Sequence, residues 1–261
     1  PSPFSQTSQM PIFRIRHELH SFAHVPKCGG SSVNAYLSGR FGPLGFSESH
    51  QDLLPAHRQW NRTSNQHVPT FVLDRFLPSD WFTSSFAVVR HPLGRLVSAF
   101  FFARNLGHAP PGAEFNSWFQ AVASRVKRYP LDYDGHLPPQ SAFVPNRSRI
   151  FRFKDGFEQI VLYLDGLCGN RDGPRQLEAR NVGGWRGKDG LPVPTAETLA
   201  LITRVYAEDF ARFGYEVAAD PAATATAVAL PASAVTGKPP EPARPGLAKR
   251  FRRYLIRKAG L

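Results

Sequence analysis

Short apolar runs and longer helix-like stretches alternate along the first 220 residues. His20–Val25 (HSFAHV), Ser85–Val89 (SFAVV) and Arg149–Phe153 (RIFRF) are compact and rich in aromatic and β-branched residues, which predicts strands. Each is followed by a stretch of helical character: Ser31–Leu37, Leu93–Phe102 and Gly156–Leu164. Leu199, Ile202, Tyr206 and Phe210 recur at helical spacing, predicting a last amphipathic helix over Thr195–Phe213. Strands alternating with helices imply an α/β fold of three layers, a central parallel sheet flanked by helices. Ligands of such folds bind beyond the carboxyl ends of the strands.

The pattern then stops. Pro221–Gly246 reads PAATATAVALPASAVTGKPPEPARPG, rich in Ala and Pro with almost no large apolar side chain. A segment of that kind cannot bury enough surface to offset its ordering entropy, so it predicts a linker. After it, Leu247, Phe251 and Leu255 recur every four residues among six cations, the pattern of a short basic amphipathic helix. The expected organisation is an arm over residues 1–18, a domain over 19–218, a linker over 219–246 and a tail helix over 247–261.

Composition narrows the class. With 42% hydrophobic residues, 21 Phe and 4 Trp, the chain needs a core, which excludes disordered, collagen-like and fibrous proteins. Cys28 and Cys168 are the two cysteines, too few for a disulfide scaffold or a zinc finger. The uninterrupted apolar runs fall far short of the ~20 residues of a membrane span. The first residues lack a basic-then-apolar leader pattern and an initiating Met, so a trimmed chain with a cytoplasmic location is expected. Net charge is +12, from 32 Lys and Arg against 20 Asp and Glu, which implies anionic partners. Residues 221–261 hold eight of those cations against Glu241 alone, a net +7. That leaves +5 for the preceding 220 residues. The tail can therefore lie on an anionic bilayer, with peripheral membrane contact through residues 247–261, or pack or float in solvent as an ordinary terminal helix.

The densest chemistry lies in Phe22-Ala-His-Val-Pro-Lys-Cys-Gly-Gly-Ser-Ser-Val33. A strand is halted at Pro26, and Lys27, Cys28, Gly29 and Gly30 lead into a helix opened by Ser31 and Ser32. Glycines let backbone approach an anion closely, and the N–H groups of a new helix point at it with the positive end of the helix dipole. This is P-loop-like phosphate-cradle chemistry without the GxxxxGK[ST] spacing of a nucleoside triphosphatase. A plain strand–turn–helix junction with a surface lysine is the competing reading.

A second strand exit repeats the design. Phe86-Ala-Val-Val-Arg-His-Pro-Leu-Gly-Arg-Leu-Val-Ser-Ala-Phe100 leaves its strand at Arg90, turns at Pro92 and carries Ser98 about two helical turns on. Arg90 can fork onto two phosphate oxygens and Ser98 can donate a third bond. A structural ion pair for Arg90 and an ordinary helix serine for Ser98 are the alternatives.

In this order and about 60 residues apart, the two segments resemble the signature of sulfotransferases that use 3′-phosphoadenosine-5′-phosphosulfate, above all the carbohydrate-type branch and its bacterial relatives. HVPKCGGSSV is similar to that family's 5′-phosphosulfate loop and VVRHPLGRLVSAF to its 3′-phosphate motif. Asp134-Gly-His-Leu-Pro-Pro-Gln140 resembles its His-x-x-Pro-Gln stretch, and Tyr206–Phe210 with Phe213–Tyr215 resembles its closing helix and ending. The chain departs from the pattern at Cys28, where Thr is common, at His91, where Asn or Asp is more usual, and at Lys154-Asp155, which interrupts an RFE-type ending. The resemblance spans about residues 19–216. It implies that Lys27, Cys28, Gly29, Gly30, Ser31 and Ser32 hold the 5′-phosphosulfate and that Arg90 and Ser98 hold the 3′-phosphate. Each such charge-assisted contact is worth about 1.5–3 kcal/mol. No metal is required, and the sequence offers no clustered His/Asp/Glu set to bind one.

Sulfuryl transfer also needs a base for the acceptor hydroxyl, a role suited to neutral imidazole near pH 7. Among nine histidines, His136 stands out in the loop DYDGHLPPQ, where Asp134 can orient its ring; His50 in SESHQDLL is the rival. Lys27 would then also serve catalysis by stabilising charge on the departing oxygen. The acceptor implied by the resemblance is a glycan or glycolipid hydroxyl, with a small alcohol or a peptide tyrosine as alternatives. Two other readings compete. A P-loop kinase lacks its Walker spacing and magnesium carboxylate here. A non-catalytic polyanion-binding module is the other, yet no nucleic-acid motif is present, so nucleic acid is not expected as a partner. Asn61-Arg-Thr63 and Asn146-Arg-Ser148 match a glycosylation sequon, a pattern short enough to arise by chance.

Overall fold

The computed structural model describes residues 11–46, 63–110, 112–178 and 191–217. The tail, the whole linker, His50 and Asn61 lie outside them.

Among the described residues four strands form one sheet in the spatial order β1 (Ile12–Ile15), β2 (Glu18–Ala23), β3 (Phe82–Val89) and β4 (Arg149–Arg152). The pairs β2–β3 and β3–β4 are parallel, whereas β1 pairs antiparallel with β2. The sheet is therefore mixed, not wholly parallel as the alternation of elements implied. The reason is local. Ile15 faces Glu18 across a two-residue turn in which Arg16 takes a positive φ of 55°, and so tight a connection makes only an antiparallel neighbour. Arg16 is anchored there by a bond from its guanidinium to the Cys168 carbonyl. The strand β1 falls inside the stretch read as an arm, because in IFRI only Phe13 and Ile15 are fully buried and Arg14 faces solvent.

Burial runs along the strands unevenly. The first residues of β2 and β3 are exposed or half-buried, but His20–Ala23 and Phe86–Val89 are buried without alternation. Consecutive buried positions mean that both faces of the sheet are covered, as expected for parallel strands flanked by helices. Phe22 stacks on Phe86 with ring centroids 4.9 Å apart, and Phe86 meets Phe151 edge-on at 5.9 Å, so one aromatic row crosses β2, β3 and β4. The core thus lies under the carboxyl ends of the strands, the ends from which the loops of the site emerge.

Eight α-helices are described: α1 (Gly30–Phe41), α2 (Thr70–Leu73), α3 (Pro92–Asn105), α4 (Phe115–Ala123), α5 (Arg125–Arg128), α6 (Glu158–Cys168), α7 (Ala196–Val205) and α8 (Ala207–Phe213). Two differ from the sequence pattern. The stretch Thr195–Phe213 is two helices, broken at Tyr206, whose ring is buried and whose hydroxyl donates to the Leu137 carbonyl at 2.7 Å. The helix after β4 starts at Glu158 instead of Gly156, since Phe153–Asp155 form a 3₁₀ turn that ends at Gly156 with φ 81°.

Candidate active site

The loop after β2 is built from backbone. Lys27 has φ 67° and Gly29 φ 83°, two left-handed positions that close a tight turn ahead of α1. Such turns cup successive N–H groups around an anion. Gly29 is required by space as well as by conformation, and Gly30 by space. A Cβ on Gly29 would stand 2.7 Å from Phe157 and 2.9 Å from Phe153, and one on Gly30 would fall 1.9 Å from His24 Nε2. His24 is accordingly a packed residue, its Nδ1 against the Asn34 amide at 3.3 Å. Gly29 is the N-cap of α1 and supplies no side-chain cap, so the first amides of that helix are served by no side chain of the cap residue. Ser31 is half-buried and Ser32 buried. Cys28 is enclosed, its thiol directed at the Gln140 side-chain oxygen at 3.3 Å, and burial pushes its pKa up to about 12. It is a packing group here, not a nucleophile.

Lys27 points along α3. Its ammonium stands 3.9 Å from the centre of the Phe102 ring. Burial, with Arg90 nearby, draws its pKa down to about 8. Arg90 leaves β3 beside it: the guanidinium lies 4.9 Å from the Phe153 ring and reaches the Lys27 carbonyl at 3.5 Å. Burial lowers the Arg90 pKa too, and no carboxylate contacts it among the described salt bridges. His91 then caps α3, accepting from the Leu93 N–H through Nδ1 at 3.2 Å while Nε2 donates to the Glu216 carbonyl at 3.0 Å. Pro92 fills the first helical position, where a missing N–H costs nothing. Ser98 is buried farther along α3. Arg95, one turn in, is 1% exposed and ties loops together, its Nε to the Pro26 carbonyl and its terminal nitrogen to the His136 carbonyl, both at 3.0 Å.

The third wall is the stretch 131–142. Tyr133 and Asp134 both have φ 53°, with Gly135 at 68°, so three successive residues are left-handed. For two non-glycine residues this costs on the order of 1–2 kcal/mol each. The turn is held by Asp134: its carboxylate accepts from the Ser64 N–H and hydroxyl and from His67 Nδ1 at 2.8 Å. Burial would raise the Asp134 pKa, but His67 and its hydrogen bond hold the carboxyl well below the usual range. The orienting carboxylate expected for His136 thus serves His67 instead. The two imidazoles lie edge to face with centroids 5.0 Å apart, and His136 meets the Phe102 ring at 4.8 Å. His136 is buried, and burial, His67 and Lys27 keep its pKa well below that of a free imidazole.

Lys27, Arg90, His136 and the glycine loop therefore converge, with Phe102 under both Lys27 and His136. Four contributors carry no local signal in the sequence: His67, Arg95, Asp209 and the linking role of Gln140. Each acts through partners 40 or more positions away, as His67 does with Asp134.

The fold also assembles the His/Asp cluster that the sequence did not display. Ligand atoms of His67, Asp134 and His136 lie within 4.8 Å of one another. Tetrahedral zinc with bonds of about 2.0–2.1 Å wants its donors roughly 3.3 Å apart. Lys27 and Arg95 add positive charge beside His136. This arrangement suits anions and proton transfer better than a cation. A cavity of about 830 Å³ lies elsewhere, along the outer edge of β4 between Arg149, Gly156, Tyr163 and Arg212.

Among family models, one described as "Sulfotransferase family" matches residues 12–160. No curated protein and no solved structure matches the chain.

Proposed function

Since the chain belongs to the sulfotransferase family, we propose that it moves the sulfuryl group of 3′-phosphoadenosine-5′-phosphosulfate onto a hydroxyl of a glycan or glycolipid, within a three-layer P-loop-like fold. The observation that carries this reading is the meeting of Lys27 and His136 on Phe102, with Arg90 reaching the Lys27 carbonyl and His67 against His136. The donor supplies a sulfuryl group on a phosphate leaving oxygen, and the residues present suit it. Lys27, the Cys28–Ser32 backbone and the Ser31 and Ser32 hydroxyls hold the 5′ end; Arg90 and Ser98 hold the 3′-phosphate. Their separate seats favour a nucleotide with anionic groups at both ends.

Catalysis rests on position and charge, as in phosphoryl transfer. The acceptor oxygen attacks sulfur in line, forming its S–O bond as the bond to the phosphate oxygen breaks. Lys27 stabilises the charge left on that oxygen. The acceptor proton passes to an imidazole. His136 and His67 are both in place, and the hydrogen bonding favours His67 as the acceptor of the proton at Nε2. Its Nδ1–H is held by Asp134, which stabilises the imidazolium that forms. His136, flanked by Lys27 and stripped of water, is the weaker base and shapes the wall beside it.

The test uses labelled donor against a panel of glycan, glycolipid, small-alcohol and tyrosyl-peptide acceptors, with and without EDTA. Label transfer to a saccharide hydroxyl, unaffected by EDTA, is expected; a magnesium requirement or transfer of phosphate overturns the reading. His67→Ala should lower kcat by about 10²–10⁴ and remove the acidic limb of the pH–rate profile. An acidic limb that persists in His67→Ala and vanishes in His136→Ala returns the role to His136.

A further inference from the structure

The paired backbone of β2 and β3 ends at Ala23 and Ala87. Beyond those residues the two strands run on to Lys27 and Arg90 with no ladder between them, yet both loops must grip one nucleotide. Gln140 lies where they part. It has no exposed surface, and its amide oxygen accepts from the Arg90 N–H at 2.8 Å and the Cys28 thiol at 3.3 Å. Its amide nitrogen donates to the Arg90 carbonyl at 2.8 Å and to Asp209 Oδ2 at 3.4 Å. These four partners fit one orientation of the amide, since a flipped group would set N–H against N–H. Toward Arg90 the side chain behaves as a missing strand would, pairing with both the N–H and the carbonyl of the residue that follows β3.

Gln140 is in turn seated from below. Its backbone N–H and that of Ser141 donate to the two oxygens of Asp209 at 2.8 and 2.9 Å. Asp209 sits in the first turn of α8, fully buried. Burial raises the Asp209 pKa, and the nearby Arg95 and these N–H groups oppose that rise. The remaining links between the loops are longer or lie farther from the strand end: Arg90 to the Lys27 carbonyl at 3.5 Å, and Arg95 to Pro26.

We propose that Gln140, seated by Asp209, is a positioning residue that sets the spacing between the two anion-binding loops, and so makes the protein select a nucleotide phosphorylated at both its 3′ and 5′ ends. This rests on the donor assignment above. A residue that merely fills the core would weaken every nucleotide alike when replaced. A spacer acts on the ligand that bridges the loops and spares one held by a single loop.

The experiment measures equilibrium binding of adenosine 3′,5′-bisphosphate and of adenosine 5′-monophosphate to the full chain by calorimetry. Wild type should prefer the bisphosphate by 100-fold or more. Gln140→Met, which keeps the bulk and removes all four hydrogen bonds, should cut that ratio at least tenfold while leaving monophosphate binding within about threefold. Cys28→Ala, which removes one arm and leaves the Arg90 pairing, should move the ratio the same way by about twofold to fivefold, and serves if Gln140→Met does not unfold cooperatively. A large wild-type ratio that neither variant changes overturns the spacer role and leaves the donor assignment standing. A wild-type ratio near one overturns the donor assignment, and the spacer role with it.

Discussion

After β2 the chain reaches α1 through Pro26–Gly29 with Lys27 and Gly29 left-handed; after β3 it reaches α3 through Arg90–Pro92 with neither residue nor turn strained in that way. The first exit presents backbone, and its glycines are irreplaceable because Phe153, Phe157 and His24 close over them. The second presents a side chain, Arg90, on an exit stabilised by ordinary means: a histidine cap and a proline at the first helical position. A backbone cradle binds through many weak, fixed donors and fails when its shape changes. A guanidinium binds through one strong fork and fails when that group is removed. The two exits should therefore break in different ways.

The largest effect is expected at the cradle. Gly30→Ala drives a methyl into the His24 ring and should cost about 1–3 kcal/mol of stability, read from urea midpoints. Sulfuryl transfer should fall beyond detection even at saturating donor. Stability and donor affinity both at the wild-type level would show that the cradle has room the packing denies.

Arg90 should fail cleanly. Arg90→Ala is expected to weaken adenosine 3′,5′-bisphosphate binding by about 10–100-fold, the loss of one or two charge-assisted bonds, with the fold retained. Arg90→Lys should recover little of it, since an ammonium cannot fork. Full recovery would mean that only charge matters at the second exit. Lys27→Ala should instead abolish turnover while retaining part of the binding, because the lysine acts most on the departing oxygen.

A titration separates the exits further. Free Lys27 gives up its proton near pH 8, whereas an unfolded lysine holds it to about 10.4. Between those values the unfolded chain binds the extra proton, so this group makes stability rise with pH across that window. Donor affinity should run the opposite way, weakening as pH rises through 8, with proton uptake on binding. Calorimetry in buffers of differing ionisation enthalpy measures the uptake, and Lys27→Met should abolish it. Arg90 contributes nothing to that signal, being charged throughout.

The smallest effect is expected at His91. His91→Ala removes the cap of α3 and the bond to Glu216, at a cost of about 1 kcal/mol, with donor affinity nearly unchanged. A tenfold loss of donor affinity would place His91 on the donor and erase the contrast between an exit that grips by shape and one that grips by a single side chain.

The two exits also differ from the third wall in how far they could be read in advance. Strand, Pro-Lys-x-Gly-Gly and helix lie within a dozen residues, as do Arg90, Pro92 and Ser98, so local sequence carries their chemistry. The histidine pair does not work this way. His67 sits in a loop without a motif, and its carboxylate is Asp134, 67 positions on, in the middle of a left-handed turn over Tyr133–Gly135. For the same reason local sequence pairs Asp134 with its near neighbour His136, whereas the fold pairs it with His67. The antiparallel β1 has too little local pattern to read, being a four-residue edge strand with two buried positions whose place is set by the Arg16 turn and by pairing with β2.

Sequence alone determined the alternation of strands and helices, the two strand exits and the concentration of charge after residue 220, because each depends on neighbours in the chain. Tertiary structure decided which imidazole has a carboxylate, that Lys27 rests on Phe102, and that Gln140 joins the loops after β2 and β3 over a floor set by Asp209. Those contacts form between residues 50 to 112 positions apart, and burial gives them their strength. A polar group removed from water must find a partner, and only the folded core determines which partner is within reach.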